Sequence, residues 1–222
     1  MKVTITLSLV NFSLTIDIKF STVYFSIGEK MKTVYLISGK LQSGKNLFAS
    51  YLKELFEKDG QRVKTESFAQ PVKDECKETF KPLVEYLQNN HGLEYNDDNW
   101  YENKTPLTRM LLQIYGTDIF RNRVNKNWWV DKLARRIQQS EADVFLITDV
   151  RFPNEINQMK WHSGTFELIP IRINRNIERS DAVQHESETA LDSYKNFRFT
   201  FDNNGSLEEV RNFAKQIAKY TG

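Results

Sequence analysis

Residues 38–47 read Ser38-Gly39-Lys40-Leu41-Gln42-Ser43-Gly44-Lys45-Asn46-Leu47, with two glycines five positions apart and a lysine directly after the second. Glycines so placed let the backbone wrap closely enough for its N–H groups to face phosphate oxygens. A helix starting at the lysine adds positive potential, and the ammonium of Lys45 is a compact charge for the β and γ phosphates of a nucleotide. Lys40, Gln42 and Ser43 supply the remaining amides of the loop. The segment lies between an apolar run at 34–37 and a stretch with apolar residues at helical spacing, a context that favours phosphate binding over a plain glycine turn. The last position departs from the phosphate-loop pattern. Where a Ser or Thr hydroxyl normally meets Mg²⁺, Asn46 either offers an amide oxygen, directly or through water, or simply starts a helix.

An acidic position follows from the strongest buried-strand candidate, residues 144–148. It ends at Asp149, where a carboxylate at the carboxyl end of a central strand faces a nucleotide crevice and the water shell of its metal. Arg151 shares that edge. Bringing two phosphate groups together costs about 4 kcal/mol per unit-charge pair at roughly 4 Å in an effective dielectric of about 20. Phosphoryl transfer therefore calls for cations, and for little else beyond positioning. Arg109, Arg121, Arg151, Arg175 and Arg179 are the candidates. Arg175 and Arg179 stand one helical turn apart in a polar stretch suited to a closing lid. His185, Ser187 and Glu188 do not make a hydrolase: no strained nucleophile turn surrounds the serine, and adjacency in sequence is not a triad.

Around these groups short apolar runs alternate with helical periodicity, which predicts strands joined by crossover helices. A helix carries Leu47, Phe48, Tyr51, Leu52, Leu55 and Phe56 on one face and stops at Asp59-Gly60. A strand is expected over 62–68, then a helix opening near Pro71 and interrupted by Pro82. Residues 89–103 show no period and read as a loop or mobile insertion. Thr105 and Pro106 cap and open a helix with Leu107, Met110, Leu111 and Ile114 inward, ended by Gly116. Trp129, Val130, Leu133, Ala134 and Ile137 mark another. A helix from about Pro153, a strand through Ile173 and a short strand near 197–201 follow, and Asn203-Asn204-Gly205 turns the chain. Ser206 and Glu209 form a capping box for a last helix facing inward through Leu207, Val210, Phe213, Ala214 and Ile217. Residues 1–30 alternate apolar with polar residues at period two, with a phase change at Leu9/Val10 that predicts a turn or bulge. They form a β-rich appendage, and Met31 is a second plausible start.

The chain has 222 residues, 40% hydrophobic and 27% charged, with a formal net charge of +2 and a single cysteine, Cys76. That is ordinary globular usage, long enough for one α/β domain with a full core. No stretch suits a membrane span, and the balance of charge does not announce a nucleic-acid binder. One cysteine forms no internal disulfide, and without a secretory leader a reducing cytoplasmic setting is expected.

Five blocks carry a resemblance to a known family: Ser38-Gly39 through Lys45; Phe68-Ala69-Gln70-Pro71-Val72-Lys73; Arg109 through Gln113 with Gly116-Thr117-Asp118 and Arg121; Asp149-Val150-Arg151-Phe152-Pro153-Asn154-Glu155; and His185-x-Ser187-Glu188. In this order, over residues 33–220, they resemble the phage deoxynucleoside monophosphate kinases. The resemblance implies a P-loop NTPase fold, α/β, with a parallel sheet covered by helices on both faces. It implies a kinase domain over 31–222, with an acceptor-binding helical region at about 69–125 and a lid at about 174–192. ATP and Mg²⁺ are the implied cosubstrates and a deoxynucleoside monophosphate the acceptor, in the host cytoplasm if the chain is of phage origin. Gly39, Gly44 and Lys45 would hold the ATP phosphates. Lys73, Arg109, Gln113 and Arg121 would line the acceptor side, with Glu188 as a further substrate contact. Asp149 and Arg151 would lie between, Asp149 and Asn46 being the metal-ligand candidates, and Arg175 and Arg179 would belong to the lid. The family usually has Asp-Thr where this chain has Asn46-Leu47, and often Asp in place of Gln70. The first departure touches metal binding and turnover, the second acceptor choice.

Three other readings compete. The animal-type phosphomevalonate kinases resemble the same loop and lid arrangement but take an isoprenoid phosphate. A nucleotide-binding protein without catalysis is suggested by Asn46. Single-stranded nucleic acid could stack on Trp128 and Trp129 beside Arg121, Arg123, Arg135 and Arg136, although those tryptophans adjoin an amphipathic helix whose core they suit better. Small-molecule substrates are the expected partners, with neither membrane nor nucleic acid among them, and the sequence leaves a homodimer open.

Overall fold

The computed structural model describes residues 2–9, 12–19, 31–92, 105–162, 164, 166–176 and 186–221. The chain divides into two compact units, Met1–Lys30 and Met31–Gly222. In the first, β1 (Lys2–Leu9) and β2 (Phe12–Lys19) pair antiparallel. Their register sets Val3 opposite Ile18, Ile5 opposite Ile16 and Leu7 opposite Leu14. The phase change at Leu9/Val10 comes at the end of β1; the turn or bulge expected there falls on Val10 and Asn11, outside the described residues.

The second unit is built on five strands: β3 (Lys32–Ser38), β4 (Val63–Glu66), β5 (Val144–Val150), β6 (Phe166–Asn174) and β7 (Phe199–Asp202). They lie in the order β4-β5-β3-β6-β7, and every pairing is parallel. The helices are α1 (Lys45–Lys58), α2 (Ala69–His91), α3 (Pro106–Gln113), α4 (Trp128–Gln139), α5 (Pro153–Trp161), the short α6 (Glu186–Thr189) and α7 (Leu207–Thr221). A π-helical stretch, Ile114–Val124, continues α3.

Parallel strands joined by helices are covered on both faces, so their residues need not alternate with polar ones. In β3 the period of two sorts the core instead. Val34 and Leu36 pack with Phe145 and Ile147 against Val130, Leu133 and Ile137 of α4 and Ile156 and Met159 of α5. Tyr35 and Ile37 pack on the opposite face with Phe48, Leu52 and Phe56 of α1 and Val210, Ala214 and Ile217 of α7. Ser206 and Glu209 make the expected reciprocal cap: the Ser206 N–H donates to Glu209 Oε1 at 3.1 Å and the Glu209 N–H to Ser206 Oγ at 3.4 Å.

Several expected boundaries differ. Pro82 does not interrupt α2, which runs unbroken past it. Pro82 is exposed, as is Glu78, the residue whose carbonyl a proline at 82 leaves without its helical donor. Asn89, Asn90 and His91 belong to that helix and not to a loop; Gly92 closes it in the left-handed conformation, φ 62°. The remainder of that expected loop lies outside the described residues apart from its junction with α2. Gly116 does not end α3 but is buried inside the π-helical continuation. A Cβ there would meet Val72 Cγ1 of α2 at 2.7 Å, so close approach of two helices, not termination, requires this glycine. Leu207 is exposed, as are Met110 and Ile114. The strand expected over 62–68 is limited to β4.

Candidate active site

The central strand β3 ends at Ser38 and α1 begins at Lys45, so the glycine loop leaves the carboxyl edge of the sheet. Two of its residues adopt positive φ, Gln42 at 62° and Gly44 at 91°. The Ser43 N–H donates to the Lys40 carbonyl at 3.1 Å, closing the turn. At Gly39 a Cβ would lie 2.3 Å from Ser43 Oγ and 2.7 Å from the Ile173 carbonyl; the loop closes on itself and on β6 only without a side chain. Lys45 Nζ donates back to the Lys40 carbonyl at 3.2 Å. Burial holds the Lys45 ammonium below its ordinary pKa, and Arg151 adds to this, while Glu188 and Asp149 oppose it. The first amides of α1 have no acceptor within their own helix, and with Lys45 they make a positive end. Ser43 is buried and Asn46 exposed.

Next to β3, β5 carries Asp149 and leads into Arg151. The Asp149 carboxylate accepts the N–H groups of Phe68 at 2.8 Å and Ala69 at 3.0 Å, tying the start of α2 to the sheet. Its pKa is raised because burial outweighs those two amides and Arg151. Glu155, buried, accepts the N–H groups of Arg151 at 2.7 Å and Phe152 at 3.0 Å and so fixes the turn that presents Arg151. Burial pushes the Glu155 carboxyl up to about 7 against the pull of those same amides. The Arg121 guanidinium stacks on the Phe152 ring, 3.9 Å from its centroid, and its Nη2 donates to Asn154 Oδ1 at 3.5 Å.

These groups border a cavity of about 320 Å³ between the sheet edge and the helical region. Lys73, Gln113, Arg121, Asp149 and Arg151 give it a polar side, and Phe68, Val72 and Trp129 an apolar one. Its dimensions and mixed lining suit a small molecule bearing both a charge and a flat apolar part. Trp129 is buried, with Nε1 donating to the Gly116 carbonyl at 2.8 Å. Trp128 and Trp129 both pack against Phe120, with ring centroids 5.1 and 5.2 Å apart, inside the helical region. Arg109 lines a neighbouring depression that shares Gln113 with the cavity.

Glu188 lies toward the glycine loop and not along the cavity wall. Its Oε2 accepts the Leu41 N–H at 2.8 Å and its Oε1 meets Arg151 Nη1 at 3.3 Å. Arg175, just past β6, reaches the Gln42 carbonyl with Nη1 at 3.5 Å. Arg179 and His185 lie outside the described residues. Among the described residues no helix is long and apolar enough to cross a membrane.

A sequence model of the family described as deoxynucleotide monophosphate kinase matches residues 88–213. A protein of Acanthamoeba polyphaga mimivirus named for that activity is 33% identical over 195 residues, covering 81% of this chain and 92% of its own length. The chain belongs to the deoxynucleotide monophosphate kinase family. The deoxynucleoside-5'-monophosphate kinase of Escherichia phage T5 is 45% identical over 47 residues, 21% of this chain and 19% of the phage protein. A dephospho-CoA kinase from Campylobacter jejuni superposes with TM-score 0.50 at 14% identity over 86% of this chain and 97% of its own, a likeness of fold.

Two groups around the site of this family member escaped the reading of motifs. Arg172, buried in β6, donates through Nη1 to Ser38 Oγ at 2.9 Å and through Nη2 to Asp192 Oδ1 at 2.8 Å. Asp192 also pairs with Lys40 Nζ at 2.8 Å, so one carboxylate links the glycine loop to β6. A lone arginine within the apolar run of 168–173 is the signal that could have revealed it. Asn203, whose Nδ2 donates to the Ser43 carbonyl at 2.9 Å, reads in sequence only as part of a turn.

Proposed function

We propose that this chain transfers the γ-phosphoryl group of ATP to a deoxynucleoside monophosphate held in the cavity beside β5, giving ADP and the deoxynucleoside diphosphate. One observation carries the reading. Arg151, which lines the cavity, meets Glu188 Oε1 at 3.3 Å, and the other oxygen of the same carboxylate accepts the Leu41 N–H of the glycine loop at 2.8 Å, so one side chain joins the loop to the edge of the cavity.

In the transfer, an oxygen of the acceptor phosphate forms a bond to the γ phosphorus while the bond from that phosphorus to the β–γ bridging oxygen breaks. The acceptor oxygen is already ionised, so no base is needed. The chain's part is to bring two anions together and hold them in line. On this reading the loop amides and Lys45 grip the β and γ phosphates. Arg121 and Arg151 draw in the acceptor phosphate, Lys73 and Gln113 contact the rest of the acceptor, and Arg175 reaches the donor side. Arg121 is held for this by the Phe152 ring and Asn154.

The residues fit a hard divalent cation such as Mg²⁺. Their donors are hard oxygens, the Asn46 amide and the Asp149 carboxylate, and the latter already accepts two backbone amides. Among the described residues no cluster of three or more His, Cys, Asp or Glu would cage an ion alone. Asn46 and, through water, Asp149 would hold it. Bound there, the ion would neutralise charge on the phosphates.

The test follows ADP release from ATP and Mg²⁺ with dTMP, dGMP, dCMP, dAMP or mevalonate phosphate. Turnover is expected with at least one of the four nucleotides. Turnover with mevalonate phosphate alone would overturn the acceptor assignment. Lys45→Ala, assayed in parallel, is expected to lose about 10²- to 10³-fold in kcat, the scale for removing one donor aimed at developing charge, with its melting temperature nearly unchanged.

A further inference from the structure

Where β7 ends, the chain passes through Asn203 and Asn204 before entering α7. The Asn203 side chain is buried and its amide donates to the Ser43 carbonyl inside the glycine loop. Its own N–H donates to the Asn174 carbonyl at 2.8 Å, and Asn204 Oδ1 accepts the Asn176 N–H at 2.7 Å. Two successive asparagines therefore hold the phosphate loop and both sides of the strand end from which Arg175 departs.

The fit at the loop is close. Gly44 has φ 91°, and a Cβ on it would lie 2.3 Å from Asn203 Nδ2. The side-chain amide occupies the space that the glycine leaves open. A trans peptide is planar, with its carbonyl and N–H directed oppositely. When Asn203 holds the Ser43 carbonyl, it also fixes the direction of the Gly44 N–H, turned away from Asn203 at the start of α1.

We infer that Asn203 is a positioning residue for the donor nucleotide: by gripping the Ser43 carbonyl it aims the Gly44 amide at the ATP phosphates. The inference rests on the reading of residues 39–46 as the ATP site. The side chain must be a donor of asparagine length. Aspartate would set an anion against the carbonyl and near the incoming phosphates, and alanine would leave the carbonyl buried without that bond.

Asn203→Ala and Asn203→Asp in the 222-residue chain are compared with the parent by steady-state kinetics in each substrate, by titration with labelled ATP, and by thermal melting. Asn203→Ala is expected to raise KM and Kd for ATP about tenfold, the scale of one buried hydrogen bond. Asn203→Asp should do so more strongly, with KM for the deoxynucleotide unchanged in both. A merely structural role would lower the melting temperature without separating the two substrates, and that result overturns the proposal. So does unaltered ATP binding in both variants, which leaves the assignment of the loop intact. If the parent itself does not bind ATP, the reading of the loop falls and this inference falls with it.

Discussion

Glu155 makes its environment measurable. Burial raises its carboxyl from 4.5 to about 7, so the folded chain keeps a proton that the unfolded chain releases. The resulting stabilisation is complete below about pH 4.5 and is lost as the pH climbs through about 7, amounting to about 3 kcal/mol at most. Asp149, whose pKa is also raised, tilts the profile the same way, and Arg121 opposes it at Glu155. Chemical denaturation at intervals from pH 5 to 8 is expected to show stability falling with pH, and Glu155→Gln to flatten that slope. An equal slope in the variant would assign the proton elsewhere. At this scale, Arg121, Asp149 and Arg151, which border one cavity, stand out in sequence as charged groups within the quoted blocks. Arg172 and Asn203 do not, because their partners Ser38 and Ser43 lie 134 and 160 residues away in the chain. No local pattern records such a contact.

At the scale of elements, α2 and the π-helical stretch meet at Gly116. Alanine normally favours a helix over glycine by about 1 kcal/mol. Here its methyl would stand 2.7 Å from Val72 Cγ1, and a β-branched side chain has little freedom to move aside. Overpacking of this kind costs about 1–3 kcal/mol and dominates. Gly116→Ala is therefore expected to melt lower and, because Val72 and Gly116 both line the cavity, to raise KM for the acceptor but not for ATP. A variant as stable as the parent with both KM values unchanged would show that the helices separate freely. Periodicity gave α4 correctly, since Trp129, Val130, Leu133, Ala134 and Ile137 are all buried. It failed where tertiary contacts override it. On α3 the expected Leu107 and Leu111 do pack with Cys76 and Val84 of α2, but Leu112 joins them, Thr108 is buried, and Met110 is left exposed. Pro82 is carried by a helix anchored elsewhere, through the pairs Arg136–Asp74 at 2.6 Å and Lys132–Glu75 at 2.7 Å.

For the whole molecule, the unit Met31–Gly222 contains the five-stranded sheet and both of its principal cores. A two-stranded hairpin has little stability of its own, so β1 and β2 are not expected to support the larger unit. A chain beginning at Met31 should melt within a few degrees of the parent and keep its kcat; a collapse of either would make the hairpin part of the kinase fold. The order of strands has another outcome, for synthesis. Neither neighbour of β3 is its neighbour in sequence: more than a hundred residues pass before β5 exists, and β6 is later still. At about 5–20 residues per second, the ribosome holds an apolar strand without its sheet partners for roughly 5–20 s, an interval in which a chaperone has the first claim on the nascent chain.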